Sequence, residues 1–212
     1  RETQLSTNVF WSSVSSDYRT ENLITYTPNA SVTPIVTYGG ALTDRSSVSN
    51  TAKALEGQGW RVVAGINGDF YNVNNGLPIG IVVTQGQLRS SDGGYHAIGF
   101  RADGTAVLGK PAVTMSLRYG APGNGEGGPL LDELGSPLLD QDGNPLTAPV
   151  QGDQVTLWPR AFNKARTESG IYLYTYDFNA AHTTGSTQPG VDVICTVLEG
   201  SFALGGTTTL LV

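Results

Sequence analysis

Residues 61–111, RVVAGINGDFYNVNNGLPIGIVVTQGQLRSSDGGYHAIGFRADGTAVLGKP, decide how this chain is read. Val62, Val63, Ala64 and Ile66 form an apolar run without strict alternation, the pattern expected of a strand buried on both faces. The run stops in a polar corner, Asn67-Gly68-Asp69-Phe70-Tyr71-Asn72. A carboxylate and two carboxamides at the mouth of a buried strand are held by a rigid element yet open to a ligand, which suits chemistry better than packing. Gly76, Pro78 and Gly80 then punctuate a loop before a second strand, a tight turn and a hairpin around Asp103-Gly104.

On the N-terminal side the period changes. Val48, Ala52 and Leu55 recur at i, i+4 and i+7, with cap candidates Thr43, Asp44 and Ser46 ahead and Gly57 and Gly59 behind. This predicts one main helix over 46–57, feeding the strand at Arg61 so that a strand–helix–strand unit frames the Asn67 corner. Earlier β segments are expected at 7–11, 21–27 and 32–38, with turns at Pro28-Asn29 and Gly39-Gly40.

Beyond Pro111 a glycine-rich block over 120–128 reads as a loop or insertion. An eight-residue repeat follows, Pro129-Leu-Leu-Asp-Glu-Leu-Gly-Ser and Pro137-Leu-Leu-Asp-Gln-Asp-Gly-Asn, with a third start at Pro145-Leu146. Two copies are too few for a solenoid. Asp140 to Asn144 resembles a calcium loop, but Gly143 directly follows Asp142 and no closing Glu is in place, which favours a β-turn. Further β segments are expected at 154–158, 170–177, 191–198 and 207–212. The fold class expected is α+β, dominated by antiparallel and mixed sheet, with the single main helix and a β-rich insertion in the C-terminal half. Residues 1–111 would form the N-terminal part of one domain, and 112–212 its insertion or continuation.

Composition agrees with a turn-rich β protein. Among 212 residues, 28 are glycine and 11 proline, and only 14% are charged, where a helical protein would carry more Glu, Lys, Ala and Leu. A formal net charge of −6, with only 12 scattered Lys and Arg, argues against nucleic acid and anionic membrane surfaces as partners. No apolar run reaches the length of a bilayer span. Cys195 is the sole cysteine, which excludes an intrachain disulfide and a multi-cysteine zinc site; its apolar run, Val191 to Cys195, predicts a buried thiol. The absence of a starting methionine and of a signal-type apolar region suggests a removed leader or tag. The Ser/Thr/Asn-rich, Lys-poor make-up leans toward a secreted or cell-surface protein of a bacterium.

Four pieces of the 61–111 stretch, in order, resemble the phosphodiester glycosidase family, whose best-known member is the lysosomal uncovering enzyme. They are Asn67-Gly68-Asp69-Phe70-Tyr71, Gly76-Leu77-Pro78-Ile79-Gly80, the turn from Gly86 to Ser91, and Ile98 to Gly104. The resemblance covers about fifty residues. It implies a hydrolase acting on a sugar-1-phosphate diester of an exported glycan or wall polymer, with a saccharide or glycosyl-phosphate as ligand and no cofactor. Family members continue into a second half with an Asp-Gly-Gly-Gly-Ser loop that supplies active-site groups, and this chain contains no such loop. The chain would then be the N-terminal portion of the catalytic domain, completed by a C-terminal fragment or partner chain, or a degenerate member that binds without cleaving.

Cleavage of a glycosyl phosphodiester needs a carboxylate to stabilise positive charge at the anomeric carbon, and donors to hold the departing phosphate. Phosphate leaves readily, so one carboxylate with polar positioning groups suffices. Asp69 is the candidate carboxylate, and Asp177, which closes the Tyr172-Tyr174-Tyr176 strand, is the second. Asn67 and Asn72 would position a sugar hydroxyl or acetamide, Gly76 and Gly80 would let backbone N–H groups approach phosphate, and Gly68 and Tyr71 are further substrate-binding candidates. Ser90, Ser91 and His96 complete the candidate binding set, and no metal ligands are assigned. Against these stand plainer readings: Asn67 and Asp69 closing the strand through local backbone bonds, His96 as a structural histidine, Asp103 as a turn former. The alternative function is a non-catalytic carbohydrate-binding module using the three tyrosines as a stacking face.

Overall fold

The computed structural model describes residues 3–122, 127–132, 134–147 and 151–212. The chain forms two compact units, one of Arg1–Val113 with Ala161–Val212, the other of Thr114–Arg160. The architecture is mostly small antiparallel sheets with a single α-helix, 33% strand and 7% helix, so the α+β label holds only loosely.

The first unit opens with a hairpin of β1 (Thr3–Ser12) and β2 (Asp17–Tyr26), paired antiparallel from Thr3↔Tyr26 to Ser12↔Asp17. Trp11 and Tyr18 pack edge-on across it with ring centroids 5.2 Å apart. Helix α1 (Val48–Gly57) starts at Ser47, whose hydroxyl accepts the Asn50 N–H at 3.2 Å. The predicted helix is thus present, with its cap one residue beyond the candidates. It buries no residue fully, and Val48 lies so close to Gly65 that a Cβ there would meet its Cγ1 at 2.9 Å.

The strand expected at 62–66 is not formed. Residues 61–69 have no regular secondary structure and make no backbone–backbone hydrogen bond among the described residues; Ile66 is 78% exposed, and Phe70 just beyond is 83% exposed. Segments 32–38 and 191–195 likewise lack regular structure and backbone–backbone bonds among the described residues, and Ile194 is 88% exposed. Cys195, expected to be buried, is exposed for the same reason. Apolar residues state a preference for an interior; a strand also needs neighbours to complete its ladder, and none of the described residues supplies them here.

The ordered centre is built around short pairs. β3 (Val82–Thr84) and β4 (Gln87–Ser90) form a hairpin through Gln85-Gly86, both with positive φ as a tight two-residue turn requires. β5 (Ala97–Phe100) and β6 (Ala106–Gly109) pair around Asp103-Gly104. Asp103 accepts the Thr105 N–H and hydroxyl at 2.9 and 2.6 Å, and those bonds hold its carboxyl below the usual range, which makes it a turn former. β9 (Ala161–Phe162) and β10 (Tyr172–Leu173) are the one parallel pair among the described residues. β11 (Thr196–Gly200) and β12 (Thr208–Leu211) form a last hairpin, whose connection reaches β4 through Leu88 N–H to Phe202 O at 2.8 Å.

The core is small: Leu42, Leu77 and Phe178, with Tyr38, Val82 and Tyr174 packed against them. The second unit holds the hairpin β7 (Leu117–Pro122) and β8 (Gln151–Leu157) and the octapeptide repeat. There Leu138 N–H donates to Leu130 O, Leu146 to Leu138, and Leu130 to Leu146, at 2.7–2.8 Å, closing a ring over the three Pro-Leu starts. Asp140 Oδ1 accepts the N–H groups of Asp142 and Asn144 at 2.9 and 2.8 Å, the β-turn rather than the calcium-loop reading. No helix among the described residues is long and apolar enough to cross a membrane.

Candidate functional site

The loop from Asn72 to Gly80 positions the site. Asn72 closes it, donating its N–H to Leu77 O at 2.8 Å while its carbonyl accepts Gly76 N–H at 2.7 Å and its side chain accepts Asn74 N–H at 2.9 Å. Gly76 is obligatory: φ is +75°, and a Cβ would lie 2.0 Å from the Thr43 carbonyl oxygen. Tyr71 bridges to Pro78, and the Arg45 guanidinium lies 5.7 Å over its ring.

Asp69 stands exposed at the mouth of this loop. Its Oδ2 accepts the Gly80 N–H at 2.8 Å, which fixes the carboxylate and leaves Oδ1 without a donor among the described residues. A Cβ on Gly80 would sit 3.0 Å from Oδ2, so glycine is what lets the backbone come this close. Asn67 and Gly68 lie exposed on the extended segment that leads in, and His96 lies exposed just ahead of β5.

Lys164 grips the same loop from the other side, and no motif announced it. Its Nζ donates to the carbonyls of Pro78, Ile79 and Gly80 at 2.8, 3.0 and 2.8 Å. Burial pulls this ammonium down from 10.5 to about 8, opposed by the charges of Asp69 and then Asp92. Gly80 therefore carries Asp69 on its N–H and Lys164 on its carbonyl. The two side chains are thus tied to one peptide segment, with no direct ion pair between them among the described residues.

The remaining candidates are placed differently. Ser90 and Ser91 are buried, 0% and 4% exposed, and bond the backbone of Phe162 and Asn163, so they dock β4 onto β9 and offer no open hydroxyl to a ligand. Asp177, on a 3₁₀ turn at Tyr176–Phe178, is a hub. Its oxygens accept the Tyr38 hydroxyl at 3.3 Å, Arg89 Nη1 at 3.4 Å and the Thr175 hydroxyl at 2.6 Å. Burial, more than the neighbouring Asp177, pushes the Tyr38 phenol up; Arg89 opposes it. Asn163, 1% exposed with φ of +50°, bonds Arg89 O and Thr175 through both ends of its amide.

The three tyrosines do not share a face. Tyr174 packs edge-on to Phe178 with centroids 5.0 Å apart, whereas Tyr176 is exposed and stacked on His182 at 3.7 Å. β10 ends at Leu173, so the strand alternation that would align them stops there.

A cavity of about 220 Å³ opens on the far part of the Asn72–Gly80 loop. It is lined by Asn75, Leu77, Phe178 and Arg166 and by the polar segment 184–188, and Asp69 is not among its walls. Among the described residues no group of three or more His, Cys, Asp or Glu is placed to hold a metal ion.

What this fold and site define is a β-rich protein, with one α-helix among the described residues, and an exposed carboxylate tied through Gly80 to a half-buried lysine. No protein-family model, no curated protein and no solved structure matches the chain.

Proposed function

We propose that this chain is the N-terminal portion of a phosphodiester glycosidase-like hydrolase that cleaves a sugar-1-phosphate diester of an exported glycan or wall polymer, in a secreted or surface-attached bacterial protein. The observation that carries the reading is the Asp69–Gly80–Lys164 arrangement: a solvent-facing carboxylate, fixed through one oxygen at 2.8 Å and free at the other. In this reading Asp69 stabilises the charge that builds on the anomeric carbon. Lys164 holds the loop through three carbonyls, and Asn67 and Tyr71, both exposed, meet the sugar. Asp177, its oxygens already engaged, holds Arg89 and Tyr38 in place and positions the 3₁₀ turn rather than the reacting atoms.

The unpaired apolar segments 32–38, 61–69 and 191–195 support completion of the domain by further strands, from the same polypeptide or a partner. Unpaired backbone with exposed Val and Ile residues is a surface that added strands would cover. The deciding experiment is turnover of a glycosyl-phosphodiester by the completed protein with and without Asp69→Asn.

A further inference from the structure

We propose that the cavity around Arg166 is a binding subsite for a small hydroxylated ligand bearing an oxyanion, phosphoryl or carboxylate. The charge requirement comes from Arg166. Its Nε is buried without a partner, and its one hydrogen bond among the described residues is a long one, Nη1 to Gln188 O at 3.4 Å. No Asp or Glu lines the cavity. A guanidinium presents a planar fork of donors that matches oxyanions, and Nη2 makes no hydrogen bond among the described residues.

The hydroxyl requirement comes from segment 184–188. Thr184 Oγ1 accepts Ser186 N–H at 3.4 Å and Ser186 Oγ accepts Gln188 N–H at 3.3 Å; each hydroxyl accepts one bond, and its O–H remains to donate among the described residues. Leu77 and Phe178, from the core, give one wall an apolar face against which a sugar ring can lie. The volume is below the ~300–1,000 Å³ of pockets for drug-sized ligands and suits a monosaccharide-sized group.

The subsite adjoins the Asp69 corner through shared elements. Asn75 and Leu77 line it, the next three residues of that loop hold Lys164, and Lys164 and Arg166 are two residues apart. The phosphoryl form of the proposal rests on the hydrolase reading; the carboxylate form does not.

The test is calorimetric titration of the 212-residue chain with glucose 1-phosphate, inorganic phosphate and glucuronate at fixed ionic strength. Saturable binding of a sugar anion is expected, weakened about tenfold or more by Arg166→Gln and several-fold by Ser186→Ala, a variant that leaves the core untouched. A phosphate-selective response identifies the phosphoryl form and a glucuronate-selective one the carboxylate form. No saturable binding by the wild type, or equal affinity in folded Arg166→Gln and Ser186→Ala, overturns the proposal. Binding lost in Arg166→Gln alongside normal turnover in Asp69→Asn would remove the hydrolase reading and keep the subsite. Unchanged binding with turnover lost in Asp69→Asn would do the reverse.

Discussion

Gly80 donates its N–H to Asp69 Oδ2 at 2.8 Å, and its carbonyl accepts Lys164 Nζ at the same distance. One peptide segment thus ties an exposed carboxylate to a cation more than eighty positions away in sequence. The carboxylate is held by backbone geometry and not by a direct ion pair, so one of its oxygens stays available.

That geometry depends on the Asn72–Gly80 loop, whose tightest point is Gly76. With φ at +75° and the Thr43 carbonyl 2.0 Å from where a Cβ would stand, Gly76→Ala must displace backbone. We expect it to lower unfolding free energy by at least ~2 kcal/mol. Urea titration measures this, and an unchanged midpoint would mean the loop packs otherwise.

In the proposed function Asp177 is a positioning residue. Removing its carboxylate in Asp177→Ala strands Tyr38, Arg89 and Thr175 at once, and a loss of about 1–3 kcal/mol in stability is expected. Full stability with abolished turnover would return Asp177 to the reacting atoms.

Lys164 gives a pH signature. Burial lowers its value from 10.5 to about 8, so the folded chain binds fewer protons than the unfolded chain between those values. By linkage, the stability contributed through this group is flat below pH 8 and rises with pH through that window. The difference in unfolding free energy between wild type and Lys164→Met should therefore grow in favour of the wild type from pH 8 to 9.5. A difference independent of pH would show that the ammonium is not desolvated.

Legibility in the sequence followed how local the determinants are. The helix and the two glycine hairpins were readable because a 3.6-residue period, a hydroxyl near the start and glycine at turn positions act within a few residues of one another. The strand at 62–66 was misread because apolarity does not reveal whether a neighbouring strand exists to bond it. Lys164 and Asn163 were invisible for the opposite reason: they bond backbone and side chains brought near only by folding, and no sequence spacing encodes that. The exposure of Asp69 was legible in its corner of small polar residues, while Ser90 and Ser91, equally polar in sequence, turn inward to bond the backbone at β9.

The most direct test is the rate at which the completed protein cleaves a glycosyl-phosphodiester when Asp69 is changed to Asn. The substitution keeps an oxygen to accept the Gly80 N–H and removes only the charge, so thermal unfolding should stay in place while turnover falls by ~10²-fold or more. Turnover at the wild-type rate would contradict the assignment of Asp69 to the reaction.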